Sequence, residues 1–140
     1  MKLDPDLLRP VLVAAACGQL AIAMINLRLD RLLGWRAELD TLSLLLREVF
    51  FIHKWFITIT LVIFGVVTLR FAGEFAAGTN ALGRWLAAGI GLFWAIRTGV
   101  QWLYYDWSHW RGKAGRTAIH WTLTICYGGC AAAYLAAALG

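Results

Sequence analysis

The sequence predicts an all-α integral membrane protein, a bundle of four transmembrane helices in a single domain of 140 residues. Three observations predict this fold class: 61% of the residues are apolar, only 15% are charged, and the charges divide the chain into long apolar runs. Ordinary soluble domains are roughly 45–50% apolar and about 25% charged. A domain of this size cannot bury so much apolar surface, and the excess is therefore expected to face lipid.

Composition also excludes several other classes of protein. The chain holds eight Trp, seven Phe and four Tyr, whereas disordered chains are poor in aromatic residues. The net charge of +5 does not indicate a nucleic-acid partner, because most Lys and Arg residues flank apolar runs. The three Cys residues lie inside apolar runs and indicate no disulfide framework. The sequence contains no phosphate-binding loop, serine-nucleophile elbow or zinc-protease motif, so no known motif identifies a catalytic residue.

Four apolar runs approach the length of about 20 residues that a transmembrane helix needs: residues 10–27, 49–70, 85–105 and 117–138. Pro10 opens the first run, where proline suits the first turn of a helix. His53 and Lys54 lie early in the second run, and Arg97 is the single charge in the third. The fourth run is uncharged.

The three connections differ in character. Residues 28–47 mix Arg, Asp and Leu, which predicts either a short amphipathic helix at the membrane interface or an extension of the second span, with Asp40 or Thr41 as N-cap. Residues 71–83 contain three Gly and one Asn, which predicts a short exposed turn. Residues 106–115 are aromatic and basic, as is typical of the lipid headgroup zone.

The distribution of Lys and Arg predicts the orientation. One side of the membrane carries four of them, Lys2, Arg9, Arg70 and Arg84, and the other carries eight, Arg28, Arg31, Arg36, Arg47, Lys54, Arg111, Lys113 and Arg116. Positively charged connections stay in the cytoplasm, so the second side is predicted to be cytoplasmic. The chain is thus predicted to be a multi-pass protein of the cell inner membrane with both termini outside the cytoplasm.

Polar residues concentrate at the four span ends on the cytoplasmic side, and these are the candidate ligand-binding residues: Asn26, Glu48, His53, Trp94, Arg97, Gln101, Tyr104 and His120. In the third span Arg97, Gln101 and Tyr104 recur at helical spacing and share one face. The other spans carry similar polar stripes. Four such stripes are expected to converge on one pocket inside the bundle.

Arg97 is the most informative single residue of the sequence, because it is a charge inside an apolar run. A charge inside a span costs roughly 2.5–3.5 kcal/mol on insertion scales, so it is usually paired or faces a water-filled cavity. Glu48 is the acid nearest to the right depth. The alternatives are snorkelling of Arg97 toward the cytoplasmic headgroups, a structural ion pair with Glu48 or Asp106, or an anionic ligand group held by Arg97.

These residues predict a non-catalytic subunit or binding module that holds an amphiphilic ligand (lipid, quinone or isoprenoid) in the cytoplasmic half of the bundle. One alternative is an enzyme on a lipid-borne substrate, with His53 or His120 as base. Another is an electron carrier with b-type haem between His53 and His120. No metal site and no cofactor are predicted in the leading interpretation. The expected partners are membrane lipid and a larger membrane complex or a homo-oligomer.

Overall fold

The computed structural model describes residues 4–104, 112 and 114–140. They form six helices: α1 (Pro5–Leu27), α2 (Leu29–Leu32), α3 (Arg36–Asp40), α4 (Leu44–Ala77), α5 (Ala81–Leu103) and α6 (Ala114–Leu139). No strand occurs in these residues. The described part of the chain is therefore all-helical, as predicted.

Three helical segments are long and apolar enough to cross a membrane: Pro5–Leu27, Leu44–Ala77 and Thr117–Leu139. They correspond to the first, second and fourth predicted spans. The third predicted span is helical to Leu103, but two Arg, four Gly and Gln101 lower the hydropathy of α5. Its predicted last residue, Tyr105, lies outside the described residues, as does most of the predicted connection 106–115.

The backbone of α4 is kinked at Phe71 (φ −119°, ψ 23°), one residue beyond the predicted end of the second span. The turn predicted over residues 71–83 is wrong for residues 72–77, which are helical. α4 continues to Ala77 and leaves only residues 78–80 between α4 and α5. Ala72, Phe75 and Ala76 recur at helical spacing and are buried. Their burial stabilises the helix despite the glycine content of the segment.

Two residues with defined conformations form the remaining turn. Gly78 has a φ of +60°, a left-handed conformation that ends a helix at low cost only for glycine. The Asn80 side chain accepts a hydrogen bond from the Leu82 amide (2.9 Å) and caps the N-terminus of α5.

The connection between the first two spans forms two short helices, α2 and α3, with Gly34 between them at a φ of +69°. Asp40 is the last residue of α3 and therefore does not begin the next helix. The Ser43 hydroxyl accepts from the Leu46 amide (3.4 Å). Ser43 thus occupies the capping position that the sequence predicted for Asp40 or Thr41.

The helices divide into two compact units. The C-terminal unit comprises Met1–Ala15 and Thr68–Gly140, and the central unit comprises Ala16–Val67. α1 and α4 run through both units. α5 and α6 belong to the C-terminal unit, and α2 and α3 belong to the central unit.

In the C-terminal unit α5 and α6 pack antiparallel over nearly the whole length of α5. Near one end, Arg84 Nε donates to the Ala138 carbonyl (3.0 Å). Near the other end, the Gln101 side chain bonds His120 (2.9 Å). Arg84, near the start of α5, thus contacts Ala138, near the end of α6, so the two helices run antiparallel.

A close approach at Gly91 makes this packing sensitive to one methyl group. A Cβ at Gly91 would lie 2.9 Å from Leu135 Cγ and 3.0 Å from the Leu135 backbone nitrogen, whereas a Cβ at Gly89 would meet nothing within 4 Å. We expect Gly91→Ala to lower the free energy of unfolding by about 1–2 kcal/mol through overpacking. Gly89→Ala should be neutral or stabilise through helix propensity. Thermal unfolding in detergent compares the two variants, and equal melting temperatures would contradict the close approach.

Candidate functional site

A chain of polar side chains joins α5 to α6 inside the C-terminal unit. Arg97 Nη1 donates to Gln101 Oε1 (3.2 Å), and Gln101 Nε2 bonds His120 Nδ1 (2.9 Å). Gln101 and His120 are buried, and Arg97 is half-buried. Burying polar groups is costly unless they are hydrogen-bonded, and this chain of bonds offsets that cost for all three side chains.

The direction of these hydrogen bonds follows from Arg97. A guanidinium group only donates, so the Gln101 amide oxygen faces Arg97 and the amide nitrogen faces His120. His120 Nδ1 therefore accepts, and the neutral imidazole carries its proton on Nε2. Arg97 and His120, the two ends of this series of hydrogen bonds, thus both carry N–H donors.

Two stacked aromatic rings pack beside these hydrogen-bonded side chains. The Trp94 and Tyr127 rings are stacked with centroids 5.2 Å apart, and Trp94 is 1% exposed. The Arg97 guanidinium lies over the Tyr127 ring, 4.8 Å from its centroid. A cation over an aromatic face is attracted by the ring quadrupole. Arg97 is therefore positioned both by a neutral amide and by a neutral ring.

His120, at one end of this series of hydrogen bonds, lies next to two further tryptophans. The Trp102 and Trp121 rings meet edge to face at 5.6 Å, and Trp121 lies 5.9 Å from the His120 ring. Both tryptophans are exposed, as is typical of tryptophan at a membrane interface. Tyr104, predicted on the same face of α5, follows the last residue of the helix and is 83% exposed.

The central unit contains a second polar cluster, built on a buried ion pair. Lys54 Nζ lies 2.8 Å from Asp30 Oδ1, with the two side chains 10% and 4% exposed. Arg36 Nε lies 3.5 Å from Asp30 Oδ2, and Lys54 Nζ also donates to the Leu27 carbonyl (3.4 Å). The pair ties the short helix α2 to α4.

The charge state of Asp30 follows from these contacts. The hydrogen bond from the Lys54 ammonium lowers the pKa of the Asp30 carboxyl from its ordinary value of 3.8, against the burial that raises it. Coulombic attraction to Lys54 and the hydrogen bond from Arg36 lower the pKa further. Asp30 is therefore a carboxylate at neutral pH.

Asn26 belongs to the same cluster. Its Nδ2 donates to Thr58 Oγ1 (2.9 Å) and to the Lys54 carbonyl (3.1 Å). Thr58 Oγ1 in turn donates to the Lys54 carbonyl (2.9 Å). The Asn26 side chain thus joins the end of α1 to α4 within the central unit by two hydrogen bonds.

The predicted site residues fall into both units. Trp94, Arg97, Gln101, Tyr104 and His120 lie in the C-terminal unit, and Asn26, Glu48 and His53 lie in the central unit. Glu48 and His53 are exposed, and His53 Nδ1 donates to the Val49 carbonyl of its own helix (2.9 Å). A single pocket for all eight residues and an ion pair between Arg97 and Glu48 stay predictions.

No protein-family model, curated protein or solved structure matches the chain. Among the residues that the structure describes, no three His, Cys, Asp or Glu side chains are grouped so as to hold a metal ion.

The Asp30–Lys54 pair is the part of the site that sequence reasoning missed. Sequence reasoning places Lys54 among the charges at the cytoplasmic span ends, and it considers Glu48 and Asp106 as partners for Arg97 but no acid as a partner for Lys54. The available signal was the position of Asp30, three residues beyond the predicted end of the first span at residue 27. A lysine inside an apolar run usually has a partner. Asp30 follows the end of the first span, on the same predicted side of the membrane as Lys54 near the start of the second.

Proposed function

We propose that the protein is a four-span protein of the inner membrane that binds an amphiphilic ligand against Arg97, Gln101 and His120. It acts as a binding module or small subunit of a larger membrane assembly rather than as an enzyme. The ligand is a lipid, a quinone or an isoprenoid, with an apolar tail and an oxygen-bearing head group.

The packing of α5 against α6 supports a fourth span. α6 contains the apolar segment Thr117–Leu139, and α5 runs antiparallel beside it from Arg84 to Gln101. The 23 residues of α5 extend about 34 Å at 1.5 Å per residue, which matches a hydrocarbon core of about 30 Å. This length and this packing support α5 as the fourth span.

This topology predicts the location of both termini. Reporter fusions at Lys2, at Thr79 and at Gly140 should be active outside the cytoplasm, and a fusion at Gly34 should be active inside. The reason is the excess of Lys and Arg on the side of residues 28–47. Termini on opposite sides would contradict four spans, whereas cytoplasmic activity at both termini would reverse the orientation alone.

One observation carries the ligand proposal: the Arg97 guanidinium is held in an apolar helix pair by a neutral amide and a neutral ring. These contacts fix the position of the guanidinium between α5 and α6. An intramembrane charge is by default a functional-site candidate. Because Arg97 and the imidazole N–H of His120 are donors, a head group with carbonyl, phosphate or carboxylate oxygens is the complementary ligand.

Ligand stabilisation tests this proposal. The purified protein is titrated in detergent with a phospholipid, a quinone and a polyprenyl phosphate, and its melting temperature is measured. We expect one of the three classes to stabilise the wild type, by about 2.7 kcal/mol when the free ligand reaches 100 times its Kd. Arg97→Gln should weaken this binding at least tenfold, because it removes the cation that bonds the head group.

Arg70→Gln is the matched control. Arg70 is exposed and lies over the Phe71 ring, away from Gln101 in the sequence, so this variant should bind the ligand as the wild type does. Equal stabilisation of Arg97→Gln and the wild type by the active ligand, or no stabilisation of the wild type by any class, would overturn the proposal.

The haem alternative has less support. A histidine that ligates haem iron through Nε2 donates its Nδ1 proton to an acceptor. In the C-terminal unit His120 Nδ1 instead accepts from the Gln101 amide nitrogen, which places the proton on Nε2. His53 has the opposite arrangement, since its Nδ1 donates to the Val49 carbonyl.

A further inference from the structure

The connection between α1 and α4 exposes arginine and leucine side by side. Arg28, Arg31, Leu32 and Arg36 of this connection are exposed, and so are the three leucines at residues 44–46, which begin α4. Short segments that combine exposed leucine with arginine lie in the headgroup region, with the leucines toward the acyl chains and the guanidinium groups at the phosphates.

The acid of α2 does not contribute to this exposed surface. Asp30 is buried and paired with Lys54 at 2.8 Å. The other charged side chains of residues 28–47 are four Arg against Glu38 and Asp40, and Asp40 lies 3.4 Å from Arg47. The inward pairing of Asp30 therefore leaves the segment with a net positive outward charge.

Arg28 and Arg31 are the most available of these cations. They lie one turn apart, with the Arg31 amide donating to the Arg28 carbonyl (3.0 Å). Neither side chain forms a hydrogen bond or ion pair with any residue that the structure describes. We propose that Arg28 and Arg31 form a docking surface for the phosphate groups of anionic phospholipids in the adjoining leaflet.

Lipid titration with matched variants tests this surface. Purified full-length protein in non-ionic detergent is titrated with phosphatidylglycerol or phosphatidylcholine, and the bound lipids are counted by native mass spectrometry. We expect the wild type to prefer phosphatidylglycerol. Arg28→Gln with Arg31→Gln should lower the affinity for phosphatidylglycerol about 25-fold, or about fivefold for each arginine near an anionic surface. Arg28→Lys with Arg31→Lys should keep most of it.

The control removes the same charge elsewhere: Arg9→Gln with Arg70→Gln changes two other exposed arginines and should leave the preference intact. An equal loss of affinity in this control would overturn the proposal, as would a wild-type affinity in Arg28→Gln with Arg31→Gln. Competition by inorganic phosphate at equal concentration would overturn it as well, because the surface would then bind phosphate alone. Arg97 is unchanged in these variants, so ligand binding in the C-terminal unit is measured independently.

Discussion

Replacing Lys54 with Met is expected to lower the free energy of unfolding by about 3–5 kcal/mol, because it leaves the Asp30 carboxylate buried without its main partner. Asp30→Asn combined with Lys54→Met should recover most of that loss, since a buried ion pair is often replaced by neutral groups at little cost. Denaturant unfolding in mixed micelles measures both variants.

The control for this prediction is the exposed pair of Asp40 and Arg47, 3.4 Å apart. Arg47→Gln should cost about 0.2–1 kcal/mol, as is usual for surface pairs. The pH dependence gives a second check. The pKa of Asp30 is lowered in the folded protein, so the stability from this pair is fully present above the ordinary value of 3.8 and is lost as the pH falls through the lower folded pKa. A Lys54→Met variant as stable as Arg47→Gln would contradict the buried pair.

Gln101→Leu is expected to lower the free energy of unfolding by about 2–3 kcal/mol. The change removes both an acceptor for Arg97 and a donor for His120, and loss of a hydrogen bond to a charged group accounts for most of the effect. Gln101→Glu should cost less, because its carboxylate accepts from Arg97 and from a His120 that carries its proton on Nδ1.

Val100→Leu provides the neighbouring control for Gln101. Val100 is exposed, and an exchange of one apolar side chain for another at an exposed position should change the melting temperature little. A Gln101→Leu variant with the melting temperature of Val100→Leu would mean that the hydrogen bonds joining Arg97, Gln101 and His120 do not stabilise the packing of α5 on α6.

The helices of this protein were predictable to the extent that apolar runs mark them. The runs at residues 10–27, 49–70 and 117–138 all lie within helices long and apolar enough to cross a membrane. The sequence predicts a turn over residues 71–83 from its three glycines, yet residues 72–77 are helical, with Ala72, Phe75 and Ala76 buried. The helix is stabilised by tertiary packing that composition alone does not indicate.

The two polar clusters differ in how far the sequence predicted them. Arg97 and Gln101 share a face because of their spacing, and His120 is predicted at the cytoplasmic end of the next span. The structure joins all three by hydrogen bonds. Asp30 and Lys54 are 24 residues apart, on α2 and α4, which are joined by the short helix α3 and two turns. Their contact depends on how α2 folds back to α4, which the helical period does not predict.

The most direct test of the central claim is to identify what the purified protein carries. Wild type, Arg97→Gln and Arg70→Gln are purified under identical detergent conditions, extracted with organic solvent, and the extracts are compared by mass spectrometry. We predict one amphiphile with an oxygen-bearing head group at near-equimolar amounts in the wild type and Arg70→Gln, reduced at least tenfold in Arg97→Gln. Equal amounts in all three proteins, or no amphiphile enriched over an unrelated membrane protein, would contradict binding at Arg97.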